Sequence, residues 1–436
     1  MKRVLHIARI VLRRARDLFP LTLLGLAIGG GSALALFHYG LDRIDLVLLV
    51  VGVVGLGLVS VCTLLTLVVT LVMWLKLRRM PEAPLVNLEC GFPRRTGFSV
   101  GSPWFVPFVR VGWTWISPEA RVRHHRRGLR VDEEVIATRR TLRDNIVRCL
   151  EVSDSFGLTR VSFRITEPRP LRFVPSHGAL RQMHVIRSMA AGEELPHPDG
   201  PAEGERADIR RYVAGDPVRY ILWKVFARTR EVVVRTPERA IGPVHQTVAY
   251  LVTGEGDEPA AGAARVAVES GALGGGWVLG ADGAEGHVSS SHEALDLLAR
   301  SGDAPPGEGG VGLADFLRTA TPGGRGRALV FVPARPGPWL DRVLATVGAS
   351  RGTLPAVEFI VCADGVNRSP GPRAIRRFAL RSDEPFDPRR GIGPTSASDL
   401  AQVCKKLAAT RAGVLVLDRV EGRVYSQAHQ KSLEAA

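Results

Sequence analysis

The sequence predicts a membrane-anchored protein in three parts: a two-helix transmembrane hairpin, a β-sandwich-like domain, and a doubly wound α/β domain. Three observations carry this. Two uncharged apolar runs, residues 18–39 and 46–75, open the chain. Residues 84–175 hold short apolar or alternating stretches broken by Gly and Pro, the signature of an antiparallel sandwich or barrel. From residue 243 to 425, strand-like and helix-like segments alternate, which means a parallel sheet covered on both faces. A basic segment (1–17) precedes the hairpin (18–79), a connector (176–240) joins the two folded parts, and a short tail (426–436) ends the chain.

Composition sets the outer limits. The 436 residues are 45% hydrophobic and 23% charged, which excludes wholesale disorder. The apolar residues concentrate before Arg78, which excludes a multi-span transporter. The net charge is +15, of which the first 80 residues supply +7 from ten Lys/Arg against three Asp. The remaining excess is spread along the chain and is not the concentrated basic stripe of a nucleic-acid binder. Five widely spaced cysteines (Cys62, Cys90, Cys149, Cys362 and Cys404), with no C-x-x-C, argue against a disulfide framework and a zinc cluster and fit a reduced compartment.

Each apolar run exceeds the roughly 20 residues that cross a bilayer, and only residues 40–45 connect them. The second run would be about 45 Å long, so it must tilt or extend past the hydrocarbon. Lys2, Arg3, Arg9, Arg13, Arg14 and Arg16 precede the first run, and Lys76, Arg78 and Arg79 follow the second. By the positive-inside rule both termini face the cytoplasm. A rival reading takes the first run as a signal peptide cut near Ala33-Leu34-Ala35, but its apolar core is longer than the usual 7–15 residues. No ionisable side chain lies inside either run apart from His38 at one end, so the hairpin reads as an anchor rather than an ion path. Its glycines, with Gly25-x-x-x-Gly29 among them, read as the ordinary glycine content of membrane helices or as sites of close helix approach.

In the sandwich region, arginines at 121, 123, 126, 127, 130, 139, 140, 143 and 148 alternate with Asp132, Glu133, Glu134 and Asp144. Most are expected on a solvated strand face; contact with anionic headgroups is the functional alternative. His124 and His125 point to opposite faces of a strand and cannot chelate one ion.

Two segments carry a family resemblance. Val152-Ser153-Asp154-Ser155-Phe156-Gly157-Leu158 and Phe173-Val174-Pro175 resemble the stretch upstream of the core motif in the domain-of-unknown-function 58 family. The run from Arg211-Tyr212-Val213-Ala214-Gly215-Asp216-Pro217 through Val218-Arg219-Tyr220-Ile221-Leu222-Trp223-Lys224 to Val225-Phe226-Ala227-Arg228 is similar to that family's signature. It departs from the signature at Arg211, where the family has Glu, and at Leu222, where it has Asp or His. The resemblance implies a von Willebrand factor A-like fold for the C-terminal region. It also implies a bacterial cytoplasmic (inner) membrane location, and protein partners such as MoxR-type AAA+ ATPases or other A-domain proteins.

Read as chemistry, Gly215-Asp216-Pro217 is a helix start: a turn glycine, an N-cap and a proline at the first position. Val218, Ile221, Leu222 and Val225 would form its apolar face, and residues 231–235 a following strand. Tyr212, Gly215, Asp216, Arg219, Trp223, Lys224 and Arg228 are the candidate partner-docking residues. The residues by themselves favour a structural reading of them, as a cap, a core tryptophan and ties to local carbonyls.

The remaining motifs exclude more than they assign. A metal-dependent adhesion site needs Asp-x-Ser-x-Ser after the first strand of the α/β region, and Thr253-Gly254-Glu255-Gly256-Asp257 stands there instead. No metal is expected, although a degenerate site on Glu255 and Asp257 is the alternative. The glycine-rich runs 271–276 and 307–312 lack the Lys of a P-loop, so no cofactor is expected. Ser289-Ser290-Ser291-His292 reads as a helix start with no orienting acid at a suggestive spacing, and no catalytic residue is assigned. The sequence therefore predicts a non-enzymatic, membrane-anchored interaction scaffold. A hydrolase with an unrecognised site and a basic membrane-surface or nucleic-acid binder are the alternatives.

Overall fold

The computed structural model describes residues 19–42, 45–81, 83–101, 108–182, 208–213, 221–236, 247–274, 276–321, 326–349, 356–367 and 393–425. The basic segment 1–17, most of the connector and the tail lie outside the described residues. The chain divides into two compact units, Met1–Val174 and Pro175–Ala436.

The first unit opens with α1 (Leu23–Leu34), which runs on as a wider π-turn over Ala35–Leu41, and α2 (Leu46–Leu77). Both are long and apolar enough to cross a membrane. Helix α1 starts later than the apolar run because Leu21 is extended and pairs with Thr159. Thr22 then caps the helix through Gly25 N at 3.1 Å. Asp45 caps α2, accepting from Val47 N and Leu48 N at 3.0 and 3.2 Å.

The glycines correct a simple compositional reading. A Cβ on Gly52 would lie 2.7 Å from the Leu36 backbone, and one on Gly55 would lie 2.1 Å from Ser32 Oγ. Gly30, Gly31 and Gly57 face open space. The close approach that small residues permit is thus made at selected positions of the pair.

At 1.5 Å per residue, the 32 residues of α2 span about 48 Å, well beyond a hydrocarbon core of about 30 Å. The excess has a structural use. Val69 and Met73, near the end of α2, are buried with Phe98, Val100, Trp113, Leu150, Val152 and Ile165 of the sheets that follow.

Those sheets form the expected sheet-rich region. The strands are β1 (Val86–Glu89), β2 (Pro93–Gly101), β3 (Val109–Ser117), β4 (Ala120–Arg127), β5 (Arg130–Ala137), β6 (Thr141–Asp154) and β7 (Arg160–Val174). They make a four-stranded sheet, β1-β7-β6-β3, and a three-stranded sheet, β2-β5-β4. Pairing is antiparallel except for β1 with β7. Inward residues of both sheets share their cores.

In the second unit, β8 (Asp208–Arg211) pairs antiparallel with β9 (Val233–Thr236), and α3 (Trp223–Thr229) lies between them in sequence. The α/β part then runs β10 (Thr247–Leu251), α4 (Glu258–Glu269), β11 (Trp277–Ala281), α5 (Ser291–Arg300), α6 (Leu313–Ala320), β12 (Arg327–Pro333), α7 (Pro338–Ala349) and β13 (Ala356–Ala363). Two short strands, β14 (Val366–Asn367) and β15 (Thr395–Ser396), precede α8 (Ala397–Ala408), β16 (Gly413–Asp418) and β17 (Arg423–Tyr425).

The main sheet has the order β11-β10-β12-β13-β16-β17, parallel except for β17 at the edge. Alternate residues of each strand enter opposite cores. Val248 and Tyr250 of β10 pack with α6, α7 and α8, while Ala249 and Leu251 pack with α4 and α5. The strand order reverses at β10, so the carboxyl ends of β10 and β12 form the crevice where α/β sheets bind ligands.

Candidate functional site

The signature residues are only partly brought together. Ile221 makes an antiparallel bridge with Val234, and Leu222 N donates to Val233 O at 3.0 Å. These contacts hold Ile221 and Leu222 extended, and the described helix starts at Trp223. Gly215, Asp216 and Arg219 lie outside the described residues. Ile221 and Leu222 are therefore not on a helix face, which corrects the expected pattern.

Helix α3 ends after seven residues, where Arg230 takes a left-handed conformation (φ 60°) and donates its N–H to Phe226 O at 2.9 Å. Trp223 is 58% exposed and meets the Phe226 ring edge-on. The expectation of a core tryptophan is thus overturned. Lys224 and Arg228, one turn apart, are exposed on the same helix, and neither forms an ion pair among the described residues. Tyr212 leaves β8 with its N–H bonded to Val232 O at 2.9 Å, and Arg211 pairs with Glu231 at 2.9 Å. The product is a small unit bearing an exposed indole, a half-exposed phenol and two cations. Trp, Tyr and Arg are the side chains that dominate protein–protein hot spots.

At the crevice of the α/β sheet, the organising group is Asp282, which sequence reasoning missed. It follows β11 directly and accepts from Tyr250 Oη at 2.7 Å, Thr253 N at 2.9 Å and Gly310 N at 2.7 Å. Burial pushes its carboxyl up, against the pull of these donors. One carboxylate thus ties three chain segments together beside a small cavity of about 170 Å³. The only sequence signal was an Asp-Gly at a strand end, which is common in turns.

The residues of the degenerate metal alternative are otherwise engaged. Arg335 Nη1 lies 3.1 Å from Glu255 Oε1, and Asp257 accepts from Gly254 N at 3.1 Å. Among the described residues, no three His, Cys, Asp or Glu side chains converge to hold an ion. The serine cluster is a helix start: Ser290 caps α5, accepting from Glu293 N at 3.3 Å and donating to Glu293 Oε2 at 2.8 Å. At the ends of β13 and β16, Arg419 grips Asp364 with two bonds of 2.5 Å. Asp418 accepts from Gly365, Val420 and Glu421 N–H groups at 3.1, 2.9 and 3.1 Å. Ser290 caps a helix, and the other groups brace loops.

The arginine-rich strands hold a second correction. Arg121, Arg123, Arg126, Arg127, Arg130, Arg139 and Arg143 are exposed, but Arg140 and Arg148 are buried. Arg148 and Glu133, both fully buried, meet between the sheets. Arg148 Nη2 and Nε bond Glu133 Oε1 and Oε2 at 2.8 and 2.9 Å, while its Nη1 meets Glu167. Glu133 also accepts from Thr96 Oγ1, Trp113 Nε1 and Trp115 Nε1 at 2.5, 2.7 and 2.8 Å. Burial raises the Glu133 carboxyl, but the guanidinium and neutral donors win and hold it below the ordinary glutamate range. His124 and His125 part company as their spacing demands. His124 stacks edge-on against Trp113 at 4.4 Å, and His125 meets Glu134 at 2.8 Å.

No family model and no curated protein matches the chain. A 2,6-sialyltransferase from Vibrionaceae Photobacterium sp. JT-ISH-224, solved with CMP and lactose, aligns over 65% of this chain and 42% of its own. The identity is 5% and the TM-score 0.17.

Proposed function

We propose that the chain is a membrane-anchored, non-enzymatic scaffold that docks a protein partner through α3 and its hairpin. The observation that carries this is Trp223, an exposed indole on a short helix beside Lys224 and Arg228. An aromatic anchor flanked by cations suits a partner surface with an apolar pocket rimmed by carboxylates. The resemblance to the domain-of-unknown-function 58 family, with its von Willebrand factor A-like domain, supplies the partner class: a MoxR-type AAA+ ATPase or another A-domain protein. The charges flanking the two apolar runs support cytosolic termini and an inner-membrane location.

The test is affinity purification of the detergent-solubilised chain beside Trp223→Ala and the Lys224→Ala/Arg228→Ala double variant. Wild type should retain a partner in moderate salt, and both variants should lose it while melting within a few degrees of wild type. A partner retained equally by all three proteins would defeat the docking surface. Orientation has its own check: a cysteine placed at exposed Arg126 should react with an impermeant reagent only after lysis.

A further inference from the structure

The helix pair and the first sheet unit meet at one turn, and that meeting sets a level along the helices. Thr22 Oγ1 of the first helix start donates to Gly157 O at 2.6 Å, and Thr66 of α2 shares a 2.7 Å hydrogen bond with Thr159. Leu158 between them is buried against Val59 and Cys62. From Leu46 to Thr66 is about 30 Å of helix, which matches the hydrocarbon thickness. If α1 and α2 cross the bilayer, this layer of hydroxyls stands at its polar boundary.

A groove of about 900 Å³ opens at that level. Leu23, Leu24 and Leu26 line one side of it; all three are exposed, Leu23 to 87%. Arg160, Ser162 and Arg164 line the other, on one face of β7 because side chains of a strand repeat every second residue. Arg160 is pinned at this depth by its backbone, whose N–H donates to Pro20 O at 2.9 Å. Arg160 lies 3.8 Å from Glu151, with both side chains about half exposed, a weak and solvated pair. Beside the groove, Phe156 and Phe108 are exposed and packed at 5.3 Å, an aromatic pair of the kind found at headgroup level.

We propose that this groove binds an anionic glycerophospholipid, its acyl chains along Leu23, Leu24 and Leu26 and its phosphate between Arg160 and Arg164. One wall is apolar and the other cationic, in the order in which a phospholipid is built. Among the described residues that line the groove there is no carboxylate to receive a quaternary ammonium, which selects an anionic headgroup over choline. The inference rests on the reading of α1 and α2 as membrane-spanning.

Native mass spectrometry of the full chain, extracted from nanodiscs of equal phosphatidylglycerol and phosphatidylcholine, tests it. Wild type should retain phosphatidylglycerol at least tenfold over phosphatidylcholine. Arg160→Ala/Arg164→Ala should abolish the preference, and Arg160→Lys/Arg164→Lys should keep most of it. Arg126→Ala/Arg127→Ala, which removes exposed arginines of β4, should leave it intact. Soluble glycerol phosphate in excess should not displace the lipid; if it does, the groove is a phosphate site and not a lipid site. A chain that integrates into nanodiscs but shows no headgroup preference, or whose preference survives the alanine pair, overturns the lipid site alone. A chain that stays soluble without detergent overturns the membrane reading as well.

Discussion

Arg148→Met tests the buried ion network of the first unit most directly. The side chain is of similar length and apolar, so the space is filled while the guanidinium is lost. Glu133 then keeps Thr96 Oγ1 and the two indole N–H donors but loses both bonds to Arg148, and Glu167 keeps only Arg169, whose Nε is 3.0 Å away. The guanidinium also lies 4.0 Å over the Phe98 ring and 5.1 Å from that of Trp115, contacts that methionine replaces only in part. Breaking a buried pair by removing one partner costs about 3–5 kcal/mol, because a carboxylate remains without its counter-charge. With a urea slope of about 1–3 kcal/mol/M, the midpoint should fall by about 1 M or more. The assay is urea unfolding of the detergent-solubilised chain followed by tryptophan fluorescence, to which Trp113 and Trp115 beside the network contribute. Adding Glu133→Gln to Arg148→Met should restore at least about 1 kcal/mol, since the uncompensated charge is gone. A loss below about 1 kcal/mol in Arg148→Met, with no recovery in the double variant, would refute the claim that the pair is balanced by its own geometry.

The same network sets a pH dependence. The folded Glu133 carboxyl sits below its ordinary value, so its contribution is fully present above that value and is lost as pH falls through the folded one. Glu133→Gln should therefore flatten the acid limb of a stability–pH curve, and an unchanged limb would count against it. Gly25→Val should destabilise the first unit by about 1–3 kcal/mol, because a Cβ there would lie 2.1 Å from the Leu158 carbonyl. Gly57→Val, in open space, should stay within about 0.5 kcal/mol in the same melting assay. Asp282→Ala should cost at least about 2 kcal/mol, since it strands three donors, and should speed amide exchange at Thr253 and Gly310. Trp223→Ala should cost less than about 1 kcal/mol, measured by urea unfolding, given how much of the ring faces solvent.

What the sequence determined by itself was periodicity. Two uncharged runs of bilayer length, short alternating stretches and the later alternation of strand and helix all report local burial patterns, and the corresponding elements stand close to where the pattern put them. The helix Leu313–Ala320 and the cap at Ser290 are cases where cap chemistry and apolar spacing suffice. Tertiary structure decided what depends on partners distant in sequence. Arg148 reads as one more arginine of a solvated face, and only its place between the two sheets makes it the centre of a buried network. Gly25 owes its role to a carbonyl 133 residues away, and Asp282 to donors on loops it meets only when β11 lies beside β10. The signature segment shows the same division in reverse. Its Gly-Asp-Pro turn and apolar spacing favour an early helix start, but the bridge from Ile221 to Val234 holds Ile221 and Leu222 extended, and Trp223 stands in solvent. Local pattern reports which way a residue faces on its own element, whereas burial of a charge or exposure of an indole is decided by what the neighbouring elements bring to it.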